Sequence, residues 1–116
     1  MLDRLFAGGS LPALEAMLRY ASARQKVIAT NIANVDSVGY RTRDVAEPDF
    51  FGVLSRSMSI GPAADAGILK PNGNNVDLEI EMAKMVRNSA LHGTAAALLA
   101  QQFTLLREAV AGHVIS

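Results

Sequence analysis

The chain has 116 residues, with eleven basic and eleven acidic side chains and no cysteine. That is one domain's worth of sequence, and zero net charge argues against a basic stripe for nucleic acid or anionic lipid. Half the residues are hydrophobic but only 5% are aromatic, and with no Cys there is no disulfide framework, thiol nucleophile or Cys-ligated zinc.

Met1-Leu2-Asp3-Arg4 leads into a Gly8-Gly9 break, so no cleaved signal peptide is expected. The first helical pattern begins at Ser10, a good N-cap, with Pro12 in a tolerated first-turn position. Leu11, Leu14, Leu18, Ala21, Gln25, Ile28, Ile32 and Val35 follow at spacings of three and four. This is a heptad seam interrupted by one polar residue, Gln25. Glu15, Arg19, Arg24 and Lys26 fall off the seam, as an amphipathic helix requires. The spacing predicts a helix over 10–35.

Residues 36–74 are rich in turn formers, including Asp36-Ser37-Val38-Gly39, Gly61-Pro62 and Lys70-Pro71-Asn72-Gly73-Asn74. A long irregular loop is expected there, with a short helix capped by Glu47-Pro48-Asp49 and running to about Ser57.

A second helix is predicted over 75–111. Asn75 or Asp77 can cap its start, and Asp77, Glu79 and Glu81 place negative charge at the positive end of the dipole. Its seam reads Leu78, Met82, Met85, Ser89, His92, Ala96, Leu99, Phe103, Leu106 and Val110, with Gly112 as the expected stop. Around Ala95, Ala96, Ala97, Leu98, Leu99 and Ala100 no polar face remains. A helix apolar all round is usually buried all round, and one partner helix cannot cover it. Neighbouring chains are therefore expected against Ala95, Ala96, Ala97 and Ala100. The run is far short of the ~20 residues needed to cross a bilayer, so no transmembrane segment is expected.

Candidate chemistry does not converge. Asp77, Glu79 and Glu81 are two apart and point about 200° apart on a helix, so they read as a charged helix start, not an acid/base pair. His92 and His113 have no metal-ligand spacing, and no nucleophile elbow surrounds any serine. Gly8-Gly9-Ser10 lacks the glycine spacing and lysine of a phosphate loop. Arg41 and Arg43 sit among Asp36, Asp44, Glu47 and Asp49, a salt-bridge loop in the simplest reading. Met82 and Met85 belong to the apolar seam. No catalytic residue, cofactor, metal or small-molecule substrate is expected, and the chain reads as a non-enzyme.

The segment Ala29-Thr30-Asn31-Ile32-Ala33-Asn34-Val35-Asp36-Ser37-Val38-Gly39-Tyr40 resembles the A-x-N-I-A-N-x-x-T-P-G-Y signature of the bacterial flagellar axial proteins, the rod, hook and hook-associated family. Asn74-Asn75-Val76-Asp77 through Glu81-Met82 is similar to that family's N-x-V-D-x-x-x-E-M opening of the C-terminal helix. Ser37-Val38 stands where Thr-Pro is usual. The short insert between the helices, Leu18-Arg19-Tyr20 and the Arg41 to Asp44 stretch resemble the proximal rod proteins within the family.

The resemblance implies an all-α structural subunit whose two long helices pair as an antiparallel coiled coil, joined by the long loop. In that arrangement Leu11, Leu14, Leu18, Ile28 and Ile32 pack against Leu78, Met82, Met85, Leu99, Phe103 and Leu106. Asn31, Asn34, Gly39 and Tyr40 fix the turn out of the first helix. Implied partners are other rod proteins and further copies in a helical assembly around the export channel, with the membrane ring and export gate at the rod base. The implied location is the periplasmic rod of the basal body, reached through the flagellar type III apparatus, with torque passed from motor to hook. A helical-hairpin adaptor or regulatory module is the competing class. It would form a discrete oligomer with a soluble surface at 95–100.

Overall fold

A computed structural model describes residues 10–46 and 58–115. Two helices dominate: α1, Ser10–Ala33, and α2, Leu78–Ile115. Asn31 touches Glu81 while Gln25 touches Asn88, so the helices run antiparallel. At 1.5 Å per residue α1 is about 36 Å long and α2 about 57 Å. The longer helix therefore overshoots the start of the shorter one. Among the described residues no helix is long and apolar enough to cross a membrane.

The ends of the helices follow from local hydrogen bonding. The Asn34 amide donates from Nδ2 to the Thr30 carbonyl at 2.8 Å, satisfying one of the orphan carbonyls of a helix C-terminus. The chain leaves α1 there, short of the expected Val35. Asp77 is the N-cap of α2: its Oδ1 accepts from Glu79 N at 3.0 Å and Ile80 N at 3.3 Å. Asn75 and Val76 stay outside because their backbone and side-chain groups serve the preceding loop. Gly112 does not stop α2, which continues to Ile115. A glycine ends a helix by taking a left-handed conformation, and the described glycines with positive φ are Gly39 and Gly73.

The connection corrects the all-α expectation. Strands β1, Arg43–Val45, and β2, Ile60–Pro62, form a two-stranded antiparallel ribbon with Asp44 opposite Gly61. Ala46 N to Ser59 O at 2.8 Å and Ala63 N to Thr42 O at 3.0 Å extend it. Three-residue strands are too short for an alternating pattern to show in sequence. The short helix expected between Glu47 and Ser57 lies outside the described residues.

The apolar core is small. Leu14, Ala16, Tyr20, Ala21 and Ile28 of α1 are buried, with Val45 of β1, Val76 before α2 and Ala95 of α2. Gly67 lies where the loop crosses the start of α2: a Cβ there would stand 2.8 Å from Asp77 Cβ and 3.1 Å from Asn75 O. Gly67→Ala is therefore expected to lower stability by about 1–3 kcal/mol through overpacking, read as a lower midpoint in thermal melting followed by circular dichroism.

Candidate functional site

Where α1 ends, the ribbon begins and α2 starts, polar side chains hold three segments together. Asn31 is fully buried and uses its whole amide. Nδ2 donates to Arg43 O at 2.7 Å and to Glu81 Oε2 at 3.0 Å. Oδ1 accepts from Tyr40 Oη at 2.7 Å and Arg43 N at 3.1 Å. Two donors and two acceptors exhaust an Asn side chain, so no isosteric apolar residue can take its place.

Asn74, also fully buried, donates to Asn34 O at 2.9 Å and Ser37 O at 2.7 Å, and accepts from Val76 N at 2.8 Å. It fastens the loop before α2 onto the turn after α1. Next to it, Asn75 Oδ1 accepts from Thr42 N at 2.6 Å and Thr42 Oγ1 at 2.8 Å. Gly39 adopts φ 73° and donates to Asn72 O at 2.9 Å. Gly73 adopts φ 83°, and a Cβ on it would lie 3.2 Å from Gly39 Cα. Two left-handed turns thus pass close together, which glycine alone permits without strain.

An ionic clasp lies one turn further along. Arg24 binds Asp44 through both carboxylate oxygens, at 3.0 and 3.1 Å. Lys84 is buried on α2, its Nζ 2.6 Å from Asp65 Oδ1, 3.5 Å from Asp44 Oδ2 and 3.6 Å from Glu81 Oε1. Burial works against the Asp44 charge, but hydrogen bonds from Arg24 and Val45 N and the nearby cations hold its carboxyl below the usual range. Burial likewise opposes the Lys84 charge, and Asp65, Glu81 and Asp44 outweigh it and raise the ammonium above its usual value. The clasp ties both ribbon flanks to both helices.

These shifts set a pH window. The Asp44 contribution is present above the ordinary carboxylate value of 3.8 and is lost as pH falls through the lower folded value. The Lys84 contribution is present below 10.5 and is lost as pH rises through the higher folded value. The melting midpoint is expected to stay level between about pH 5 and pH 9 and to fall on either side. Asp44→Asn should flatten the acid limb in circular-dichroism melts.

Between the helices, the buried Asn88 donates from Nδ2 to Ala21 O at 2.7 Å and Gln25 Oε1 at 2.8 Å. Gln25, the polar interruption in the α1 seam, thus meets a polar partner. Sequence reading missed Glu81, Lys84 and Asn88 because a pairing seam was sought among apolar residues. Their spacing of three and four was the available signal. Asp77 is a helix cap, as a charged helix start requires, but Glu81 is 1% exposed and joins the buried network.

The α1 positions Leu14 and Ile28 are buried, and Leu11, Leu18 and Ile32 are half-buried. On α2 the inward face is rotated by about one residue from the expected seam. It carries Glu81, Lys84, Asn88 and Ala95, and Leu78 and Met82 remain 43% and 55% exposed. Met85 and Leu99 are half-buried, and Phe103 and Leu106 are exposed. The reason is the polar junction: satisfying Asn31 and Asp44 draws Glu81 and Lys84 inward and turns Met82 out. Of the four alanines assigned to neighbouring chains, Ala95 is already buried within this chain, Ala96 is half-buried, and Ala97 and Ala100 are exposed.

The end of α1 and the turn that follows it fall in a stretch that matches known proteins. Residues 16–41 match the family model described as flagella basal body rod protein. The flagellar basal body rod protein FlgB of Bacillus subtilis is 27% identical over 123 residues, covering 90% of this chain and 95% of that relative. Both matches are to flagellar basal body rod proteins. The FlgB of Salmonella typhimurium is 38% identical over 68 residues, 59% of this chain and 46% of its own length, and that of Escherichia coli K12 is 41% identical over 61 residues, 53% and 41% respectively. The chain thus aligns with nearly all of the Bacillus relative and spans less than half the length of the Salmonella and Escherichia coli ones. The matched stretch contains Asn31, Asn34, Gly39 and Tyr40, so the hub that orients the turn lies within the family model's span.

Proposed function

We propose that the chain is a structural subunit of the bacterial flagellar basal-body rod, assembling with further copies and with other rod proteins. The supporting observation is the part of α2 that extends beyond the described start of α1. Phe103, Leu105, Leu106 and Val110 there are 48–62% exposed among the described residues, and Leu98 just before them is 45% exposed. Contiguous exposed apolar surface of this kind marks an interaction site. The face at Ala97 and Ala100 has small side chains and permits close approach of a neighbouring helix. Leu11, Leu14, Leu18, Ile28 and Ile32 carry the α1 side of a coiled-coil-like pairing, and Asn31, Asn34, Gly39 and Tyr40 set the direction in which the chain leaves it.

In this reading the rod crosses the periplasm, transmits torque to the hook, contacts the membrane ring and export gate at its base, and receives subunits through the flagellar type III apparatus. Two variants test the assembly surface. Phe103→Asp and Ala97→Glu alter exposed positions, so the isolated chain should melt within about 0.5 kcal/mol of the parent. Burying the new charge in an assembly costs several kcal/mol, so neither variant should restore motility to a deletion strain, and electron micrographs should show membrane rings without a rod. Normal swimming by both would remove this face from the subunit contacts.

A further inference from the structure

The turn that leads into α2 contains Asn72-Gly73, the single place in the sequence where glycine follows asparagine. Glycine has no side chain to shield its backbone nitrogen, so in an open chain that nitrogen can attack the preceding amide. The Gly73 nitrogen gives up its proton and bonds to Asn72 Cγ, and the Cγ–Nδ2 bond breaks as ammonia leaves. Water then opens the resulting five-membered imide. Cleavage of the new Cγ–N bond leaves aspartate. Cleavage of the original peptide C–N bond leaves isoaspartate, with the main chain running through Cβ and Cγ.

In the folded chain Asn72 is exposed to water, yet the peptide unit between residues 72 and 73 is pinned at both ends. Asn72 O accepts from Gly39 N at 2.9 Å, and Gly73 N donates to Lys70 O at 2.9 Å. Ring closure requires this plane to rotate until its nitrogen reaches Cγ, which breaks both bonds. Gly73 has little room to turn, since a Cβ on it would already stand 3.2 Å from Gly39 Cα. The next residue, the buried Asn74, is fastened to Asn34 O and Ser37 O. The two products also differ in fit. Aspartate keeps the backbone and an oxygen for Asn74 N, which Asn72 Oδ1 now accepts at 3.1 Å. Isoaspartate adds a carbon to the main chain, so the segment cannot meet Gly39 N and Lys70 O together.

We propose that Asn72 is a deamidation site gated by the junction. The closed turn suppresses the reaction, an opened chain undergoes it, and the isoaspartyl product does not reclose properly. The observed rate is then the open-chain rate multiplied by the fraction of time the turn is open. Only this chain and water take part, so the proposal stands without the rod assignment.

Peptide mapping by mass spectrometry tests it, on the full chain at neutral pH with and without denaturing guanidinium chloride. In denaturant Asn72 should deamidate ahead of every other asparagine, and folding should slow it by about tenfold or more. Asn74→Ala, which unfastens the turn, should raise the native rate. Should that variant not fold, the parent in sub-denaturing guanidinium chloride gives the same reading, with the rate climbing before the global transition. Returned to buffer, isoaspartyl chains should melt below unmodified ones, whereas Asn72→Asp should melt with the parent. Equal rates in folded and denatured chains would overturn the gating. No lead for Asn72 in denaturant would overturn the site, and isoaspartyl chains that melt with the parent would overturn the failure to reclose.

Discussion

Replacing Asn31 with alanine is expected to cost about 3 kcal/mol or more, because the change strands several buried groups at once. Glu81, 1% exposed, loses the amide that donates to its Oε2 at 3.0 Å. The Arg43 backbone loses its donor and its acceptor, and the Tyr40 hydroxyl loses its acceptor. Asn31→Asp does no better: it keeps an acceptor for Tyr40 but points a second carboxylate at Glu81. Both variants should show lower midpoints in urea and thermal unfolding. A midpoint unchanged within 0.5 kcal/mol for Asn31→Ala would show that the hub does not hold the junction.

The second large effect is expected at Lys84. Its ammonium is the shared counter-ion of Asp44, Asp65 and Glu81. Asp44 retains Arg24, but Glu81 has no other cation among the described ion pairs and is buried. Lys84→Met keeps the aliphatic stem and removes the charge, so its cost isolates electrostatics from packing. Breaking one partner of a buried pair costs about 3–5 kcal/mol. Glu81→Gln in the Lys84→Met background should return a substantial part of that loss, since it removes the stranded charge while an amide oxygen can still accept from Asn31. A double-mutant cycle from urea melts measures the coupling. Additive losses would mean that Lys84 and Glu81 do not act on one another.

Much of the fold was legible because helices write their period into sequence. The three-and-four spacing marked α1, Asp77 capped α2, and the glycine- and asparagine-rich stretch between them marked the connection. The turn residues were legible through a motif, yet their mechanism was not. That Asn31 binds four groups follows from contacts among residues 31, 40, 43 and 81, which no local spacing encodes. The α2 seam was misplaced by one residue for a related reason. Apolar periodicity finds the face an assembly buries as readily as the face a chain buries alone, and here the second face is polar. Glu81, Lys84 and Asn88 read as surface until their partners on α1 and the ribbon are known. The ribbon was out of reach, its strands being three residues each.

The polar seam between α1 and α2 also limits what else either helix can pair with. Leucine against alanine tolerates sliding, since one apolar contact replaces another at small cost. Amides and charges do not: a shift of one heptad would leave Asn88 without Gln25 and bury Glu81 away from Asn31 and Lys84 without Asp44. Each misalignment carries several unsatisfied groups at about 1–3 kcal/mol apiece. The same penalty falls on any foreign helix that offers the right leucines but lacks these polar partners. Among related chains with similar helices, such a seam acts as a proofreading device, rejecting the wrong partner by what it leaves unpaired.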